Sequence, residues 1–232
     1  MSDNTEINIV YYTYINPNSD YKTIIKGQLI DIINSKIIAK LFIVISCEFE
    51  NLIDDIKILI HETLLNAKIN YVLDIKNENI FEYYGIKKIY DLAINEPNKY
   101  YLYLHGKGML NKWNDENPRT ENNVALTQGS VNPWEKVLNI FKTDDAINII
   151  AMVPGINMAW FNFWWASGKY LITCEDPKIS RENRYYYESW LTTGNVENSK
   201  IYNLLDDNYE THATPSGACK RYYDYIFQKF RQ

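Results

Sequence analysis

The chain has 232 residues, of which 46% are hydrophobic and 23% are charged. These proportions exclude an intrinsically disordered protein and suit one large domain with its own core. The formal charge is −5, from 24 basic and 29 acidic residues. With no basic block, this charge argues against a protein that binds nucleic acid by neutralising phosphates. Three distant cysteines without a CxxC pair, Cys47, Cys174 and Cys219, exclude a disulfide scaffold and the usual zinc-site spacing.

Targeting and membrane segments are not predicted. The first residues, MSDNTEIN, are polar and do not resemble a secretion signal. No apolar run approaches the roughly 18 residues that a membrane helix needs. We therefore expect a soluble, cytoplasmic protein with no membrane span.

The first 105 residues alternate between two apolar patterns. Short β-branched and aromatic runs predict strands at 7–14, 40–46, 69–75 and 100–104. Apolar residues at helical spacing predict helices at 21–38, 51–65 and 81–94. This alternation predicts an α/β fold of the Rossmann type, a mostly parallel sheet with helices on both faces. Ligands bind beyond the carboxyl ends of such strands, so we expect 13–19, 46–50 and 105–112 to line one crevice.

The alternation weakens after residue 110. The segment 109–130 is polar and irregular, and 158–166 is the most aromatic stretch. A strand is predicted at 147–153, and helices are predicted at 133–141, 181–192 and 222–230. We interpret residues 1–232 as one domain, with a nucleotide-binding half over 1–110 and an irregular half over 111–232.

A short glycine-containing motif follows the fourth predicted strand. It consists of His105, Gly106, Lys107 and Gly108. Glycines let a backbone approach a ligand closely and leave amides to point at an anion. Lys107 suits a diphosphate, and His105 can donate a hydrogen bond or bind a metal. The alternative is an ordinary turn with a solvated lysine, and the spacing is not that of a P-loop.

Aromatic and acidic residues in the second half suggest a sugar site. Trp164 and Trp165, with Trp190 further along the chain, present rigid faces that pack against sugar rings. Asn162 offers both a donor and an acceptor to hydroxyl groups. The alternative for each tryptophan is ordinary core packing.

A second pair of residues offers acid–base chemistry. On the predicted helix, Arg184 and Glu188 are four residues apart, which suits a simple ion pair. The functional alternative is that Glu188 accepts a proton from an attacking hydroxyl. Its position at the rim of an aromatic pocket would suit that role.

These motifs together resemble a known family. YLHGKG, then Arg119, then NFWWASGKYL and RYYYESWL resemble glycosyltransferase-like proteins of bacterial polysaccharide loci and large DNA viruses. The resemblance covers about residues 100–191, and the NFWWA motif with the following ExW is its most specific part. It implies a GT-A-type fold with a nucleotide-sugar half and an acceptor-side half, in polysaccharide or glycan biosynthesis.

The resemblance also implies site residues. It places the nucleotide sugar near Tyr11, Thr13, His105, Gly106, Lys107 and Arg119. It places the acceptor or a sugar near Asn162, Trp164, Trp165, Arg184 and Trp190. Glu188 lies where inverting enzymes of this fold keep their catalytic base.

Metal dependence is the point at which the chain departs from the family. GT-A enzymes commonly hold Mn²⁺ or Mg²⁺ with an Asp-x-Asp motif, which this sequence lacks. We therefore expect a metal to be optional. Lys107, Arg119 or Arg184 can supply positive charge instead, or His105 and His212 can hold a transition metal ion.

The expected function is sugar transfer. The donor would be a UDP- or GDP-type nucleotide sugar, and the acceptor would be a hydroxyl of a glycan or glycoprotein. Two alternatives remain open: a non-catalytic module that binds carbohydrate or nucleotide sugar, and a nucleotidyltransferase. The latter needs clustered carboxylates for Mg²⁺, for which Glu48 and Glu50 are the candidates.

Overall fold

The computed structural model describes residues 5–107, 109, 119–155, 158–183, 185–195, 200–205, 217 and 219–224. Seven strands are found there: β1 (Ile7–Tyr14), β2 (Lys40–Ser46), β3 (Asn70–Lys76), β4 (Tyr100–His105), β5 (Ile147–Ala151), β6 (Trp164–Ser167) and β7 (Lys200–Asn203). The longer helices are α1 (Tyr21–Asn34), α2 (Glu50–Leu64), α3 (Tyr83–Asn95), α4 (Glu121–Val131) and α5 (Trp134–Thr143). Short helices follow at α6 (Gly168–Leu171) and α7 (Tyr186–Ser189), with 3-10 turns at Trp160–Asn162 and Trp190–Thr193.

All seven strands belong to one mixed sheet in the described part of the chain. Its order is β3-β2-β1-β4-β6-β5-β7. The pairs β3-β2, β2-β1, β1-β4 and β5-β7 are parallel, whereas β6 is antiparallel to both of its neighbours. The predicted α/β fold with a mostly parallel sheet is confirmed. Because β4 pairs with β6, strands before and after residue 110 share this sheet.

Helices cover both faces of the sheet. One apolar cluster contains Ile9 and Tyr11 of β1 and side chains of α1, α2, α4 and α5. A second cluster contains Val10 and Tyr12 and side chains of α3, α6 and α7. Successive residues of a strand point to opposite faces, so a strand covered on both faces reads as a continuous apolar run. This explains why β1 and β2 have the predicted bounds.

The second half differs from the prediction in three elements. Helix α4 lies in the segment expected to be irregular, and the aromatic run contains β6, a strand inside the sheet. The helix predicted at 181–192 is instead α7 followed by a 3-10 turn. The helix predicted at 222–230 lies mostly outside the described residues, although 219–224 are helical.

None of the helices in the described residues combines the length and the apolar character needed to cross a bilayer.

Candidate functional site

A cavity of about 620 Å³ opens at the carboxyl ends of β1 and β4. Its described lining residues are Tyr12, Thr13, Tyr14, Asn79, Phe81, Glu82, His105, Gly106, Lys107, Met109, Thr120, Asn122, Phe161 and Glu188. Thr13, the start of the glycine-containing motif and Glu188 therefore meet at one cavity. The loop between β3 and α3 forms another wall, whereas the residues after β2, expected to contribute, do not line it.

Two buried side-chain amides hold the turn after β4 in place. The side chain of Gln28 on α1 donates to the His105 carbonyl at 3.0 Å. The side chain of Asn123 on α4 donates to the Lys107 carbonyl at 2.7 Å. Both amides are fully buried. Because two helices fix its carbonyls, the turn can present the side chains of His105 and Lys107 to the cavity in one arrangement.

Two described backbone amides of this turn have partners within the protein. The Gly106 amide donates to the Tyr12 carbonyl at 2.8 Å, and the Lys107 amide donates to the His105 carbonyl at 2.7 Å. For Gly106 and Lys107, the prediction that the amides point at an anion is therefore wrong. Gly106 is required by close packing instead, because a Cβ there would lie 2.0 Å from Thr13 Oγ1. Gly108 lies outside the described residues.

Lys107 supplies positive charge to the cavity. Among the described lining residues it is the one lysine or arginine. Its Nζ lies 4.9 Å from the centroid of the Phe161 ring, a cation–π contact that keeps the ammonium group beside the cavity wall. This geometry suits an anionic ligand held by a point charge rather than by backbone amides.

His105 connects this turn to the opposite wall. Its Nε2 lies 2.8 Å from the Phe161 carbonyl oxygen. A carbonyl only accepts hydrogen bonds, so Nε2 carries a proton and donates it to this carbonyl. Any metal coordination by His105 would therefore use Nδ1.

Unusual backbone conformations concentrate around the cavity. Among the described residues, the non-glycine residues with positive φ are Lys36, Phe81, Phe161 and Asn162. Phe81 (φ 46°) and Phe161 (φ 65°) line the cavity, and Asn162 (φ 56°) follows directly. Such conformations cost of order 1–3 kcal/mol each and concentrate at ligand-binding sites. Their location supports a functional interpretation of the cavity.

Glu82 is a cavity residue that the sequence interpretation missed. It directly precedes α3 and lines the cavity. Its Oε2 accepts hydrogen bonds from the Tyr103 hydroxyl at 2.9 Å and from the Asn162 side-chain amide at 2.6 Å. These partners lie 21 and 80 residues away in the chain, so no local motif could have identified the carboxylate.

Glu188 lies on α7 and brings a second carboxylate to the cavity. Glu188 is half-buried, and Trp190, two residues later in the chain, is fully buried. Packing of Tyr187 and Trp190 in the core therefore anchors this short helix while Glu188 turns towards the cavity. Arg184, its expected partner, lies outside the described residues.

The three predicted sugar-binding tryptophans are core residues. Trp164, Trp165 and Trp190 have no exposed surface. Their indole nitrogens donate to the Asn162 side chain, the Ser130 carbonyl and the Glu175 carbonyl respectively, at 2.6–2.9 Å. With both ring faces covered, none can stack on a sugar, so that prediction is wrong. Asn162 is also 98% buried, since only 2% is exposed, and its role is to hold Glu82.

Two predicted nucleotide-sugar residues have structural partners instead. Tyr11 is fully buried and its hydroxyl donates to Gln28 Oε1, because the strand alternation turns it into the core below α1. Arg119 pairs with Asp31 at 2.5 Å and donates to Asn123 at 2.7 Å. This ion pair is largely buried. Neither Tyr11 nor Arg119 is among the described residues that line the cavity.

A metal site needs several donor side chains close together. Among the described residues, no three His, Cys, Asp or Glu side chains come together as a metal site. His212, the other predicted ligand, lies outside the described residues. No step proposed below depends on a metal.

Comparison with known proteins provides no family assignment. No protein-family model matches the sequence, and no curated protein matches it significantly. The cavity and its chemistry therefore carry the functional argument.

Proposed function

We propose that the protein is a glycosyltransferase that transfers a sugar from a nucleoside-diphosphate sugar to a hydroxyl group. The observation that carries this proposal is that Lys107 and Glu188 line the same cavity. Sugar transfer needs a cation where the diphosphate leaves and a base where the acceptor hydroxyl attacks. A cavity of about 620 Å³ is within the usual size range of small-molecule sites.

The fold supports the same proposal. In open α/β sheets, ligands bind beyond the carboxyl ends of the strands, and the cavity lies at the ends of β1 and β4. A GT-A-type arrangement, with the donor on the parallel strands and the acceptor towards α7, is part of the proposal. Fold alone does not determine function, so the proposal depends on the charged residues rather than on the sheet.

The proposed mechanism is a single in-line displacement. Glu188 removes the proton from the acceptor hydroxyl while its oxygen attacks the anomeric carbon. The bond from that carbon to the diphosphate oxygen breaks, and the diphosphate leaves with the electron pair. Lys107 stabilises the negative charge that develops on this leaving group. Attack from the opposite side inverts the anomeric configuration.

The experiment that tests the proposal is a donor panel. The purified protein is incubated with UDP-glucose, UDP-galactose, UDP-N-acetylglucosamine and GDP-mannose, with and without Mn²⁺, and release of UDP or GDP is followed. Slow donor hydrolysis is expected for at least one donor, because water can replace the acceptor. Donor binding without release of UDP or GDP would indicate a carbohydrate- or nucleotide-sugar-binding module. If no donor binds and no nucleotide is released, the proposal is contradicted.

A further inference from the structure

In the described part of the chain, the two carboxylate oxygens of Glu82 differ in their hydrogen bonds. Tyr103 and Asn162 both donate to Oε2, whereas Oε1 makes no hydrogen bond within the described residues. Glu82 also lines the cavity. This oxygen keeps its lone pairs available among the described residues, so a ligand in the cavity that donates hydrogen bonds can be accepted there.

The orientation of this carboxylate is fixed by donors that cannot reverse their roles. The indole of Trp164 can only donate, and it donates to Asn162 Oδ1 at 2.6 Å. The other side of the Asn162 amide must therefore donate to Glu82. Burial, together with the Glu82 charge, raises the pKa of Tyr103 well above its usual value, so its hydroxyl keeps the proton that it donates.

Backbone contacts fix the same residue. The carbonyl of Phe81, whose φ is positive, accepts a hydrogen bond from the Tyr12 hydroxyl. Gly85 lets the first turn of α3 lie against the sheet, because a Cβ there would be 2.6 Å from Tyr12 Cβ and 2.7 Å from the Tyr103 hydroxyl oxygen. Glu82 is thus held on three sides before any ligand arrives, which suits recognition rather than movement.

We infer that Glu82 recognises the donor sugar by accepting hydrogen bonds from its ring hydroxyls. A carboxylate repels phosphate, so the partner of Glu82 is an uncharged, hydroxyl-rich group. The aromatic rings of Phe81 and Phe161 line the same cavity and can pack against the apolar face of a sugar. The inference rests on the proposed function. It assigns the part of the cavity around Glu82 to the sugar, whereas the part around Lys107 is assigned to the diphosphate.

The test compares a nucleotide sugar with its bare nucleotide. Titration calorimetry measures the affinity of the wild type and Glu82→Gln for the donor that the panel identifies and for the matching UDP or GDP. In the variant, the side-chain amide oxygen can still accept the hydrogen bonds from Tyr103 and Asn162. The amide nitrogen, a donor, then takes the place of the Oε1 acceptor. Loss of hydrogen bonds to a charged acceptor should weaken donor binding roughly 10- to 100-fold and leave nucleotide binding unchanged.

The matched control is Glu78→Gln. Glu78 is a carboxylate of the same loop, paired with Arg181 and Tyr84 rather than with the cavity, and its loss should not alter donor affinity. Unchanged donor affinity in Glu82→Gln, or an equal loss for donor and bare nucleotide, would overturn the inference and leave the proposed function intact. Absence of any donor or nucleotide binding by the wild type would overturn both.

A second measurement avoids dependence on the folding of the variant. The wild type is titrated with donors that lack one sugar hydroxyl at a time. At least one deoxy donor should bind roughly 10-fold more weakly, since its missing hydroxyl is the partner of Glu82. Equal affinity for the parent donor and for every deoxy donor would overturn the inference.

Discussion

Gly106 at the end of β4 packs directly against Thr13 at the end of β1, with room for no side chain between them. A Cβ on Gly106 would lie 2.0 Å from Thr13 Oγ1 and 2.8 Å from Thr13 Cβ. The two strand ends that form the floor of the cavity are therefore joined by a glycine contact. This contact places Lys107 beside the ends of β1 and β4.

Gly106→Ala should destabilise the protein. The new methyl group must displace Thr13 or the turn, and overpacking of this kind costs typically about 1–3 kcal/mol. Urea unfolding measures the change. Thr13→Ala in the same background removes the nearest atom and should restore part of the loss. A Gly106→Ala variant as stable as the wild type would mean that the turn does not pack as described.

Lys107→Ala should weaken binding of the nucleoside diphosphate itself. Loss of a charged hydrogen bond to phosphate should weaken the affinity roughly 10- to 100-fold. The effect should shrink as salt is raised, because salt screens the attraction. Calorimetry with UDP and GDP measures it, and Lys57→Ala, an exposed lysine on α2, is the control. Equal affinities in the two variants would reject the phosphate role.

Glu188→Gln should abolish most turnover while leaving donor binding nearly intact. General-base catalysis contributes about 10²- to 10⁴-fold, so the transfer rate should fall by that range. Single-turnover kinetics with the active donor and acceptor measures the rate, and Glu182→Gln, an exposed glutamate six positions earlier, is the control. Near-normal turnover would remove Glu188 from the role of base.

Trp165→Phe should change stability but not ligand affinity. The buried indole donates to the Ser130 carbonyl at 2.9 Å. Phenylalanine cannot donate this hydrogen bond, and its smaller ring leaves a gap in the core. A loss of about 1–3 kcal/mol in the free energy of unfolding is expected. Calorimetry with the donor provides the second readout. A large loss of donor affinity without loss of stability would restore the sugar-platform interpretation.

Stability should fall in alkaline solution partly because of Cys174. Burial raises the pKa of this thiol from 9.0 to about 12. Between these values the unfolded chain loses the proton while the folded protein keeps it, so the unfolded state is favoured as pH rises. The contribution is about 1.4 kcal/mol per pH unit. Cys174→Ala should make the decline above pH 9 shallower in urea unfolding, and an unchanged slope would contradict this.

Three strands of the first half, β1, β2 and β4, could be predicted because they are buried on both faces. Such strands carry uninterrupted apolar runs, as in β1 and β2. Helix α4 escaped prediction because polar residues, Asn123, Thr127 and Ser130, are buried beside its apolar ones. Asn123 and Thr127 bond the turn after β4 and the Gln28 side chain, which removes the usual apolar periodicity.

The tryptophan pair was misinterpreted for a related reason. Trp164 belongs to the apolar cluster on one face of the sheet and Trp165 to the cluster on the other. Two adjacent large residues can both be buried only in a strand that is covered on both sides, and the sequence around β6 did not predict such a strand. Glu82 was missed because Tyr103 and Asn162 reach it through tertiary contacts alone.

A crystal structure of the protein with the active nucleotide sugar, or with its diphosphate, tests the account most directly. We predict density in the cavity at the ends of β1 and β4, with a phosphate oxygen within hydrogen-bond distance of Lys107 Nζ. The sugar, or the space for it, should lie between Glu82 and Glu188. A ligand bound elsewhere, or one whose phosphates do not contact Lys107, would contradict the proposed sugar transfer at this cavity.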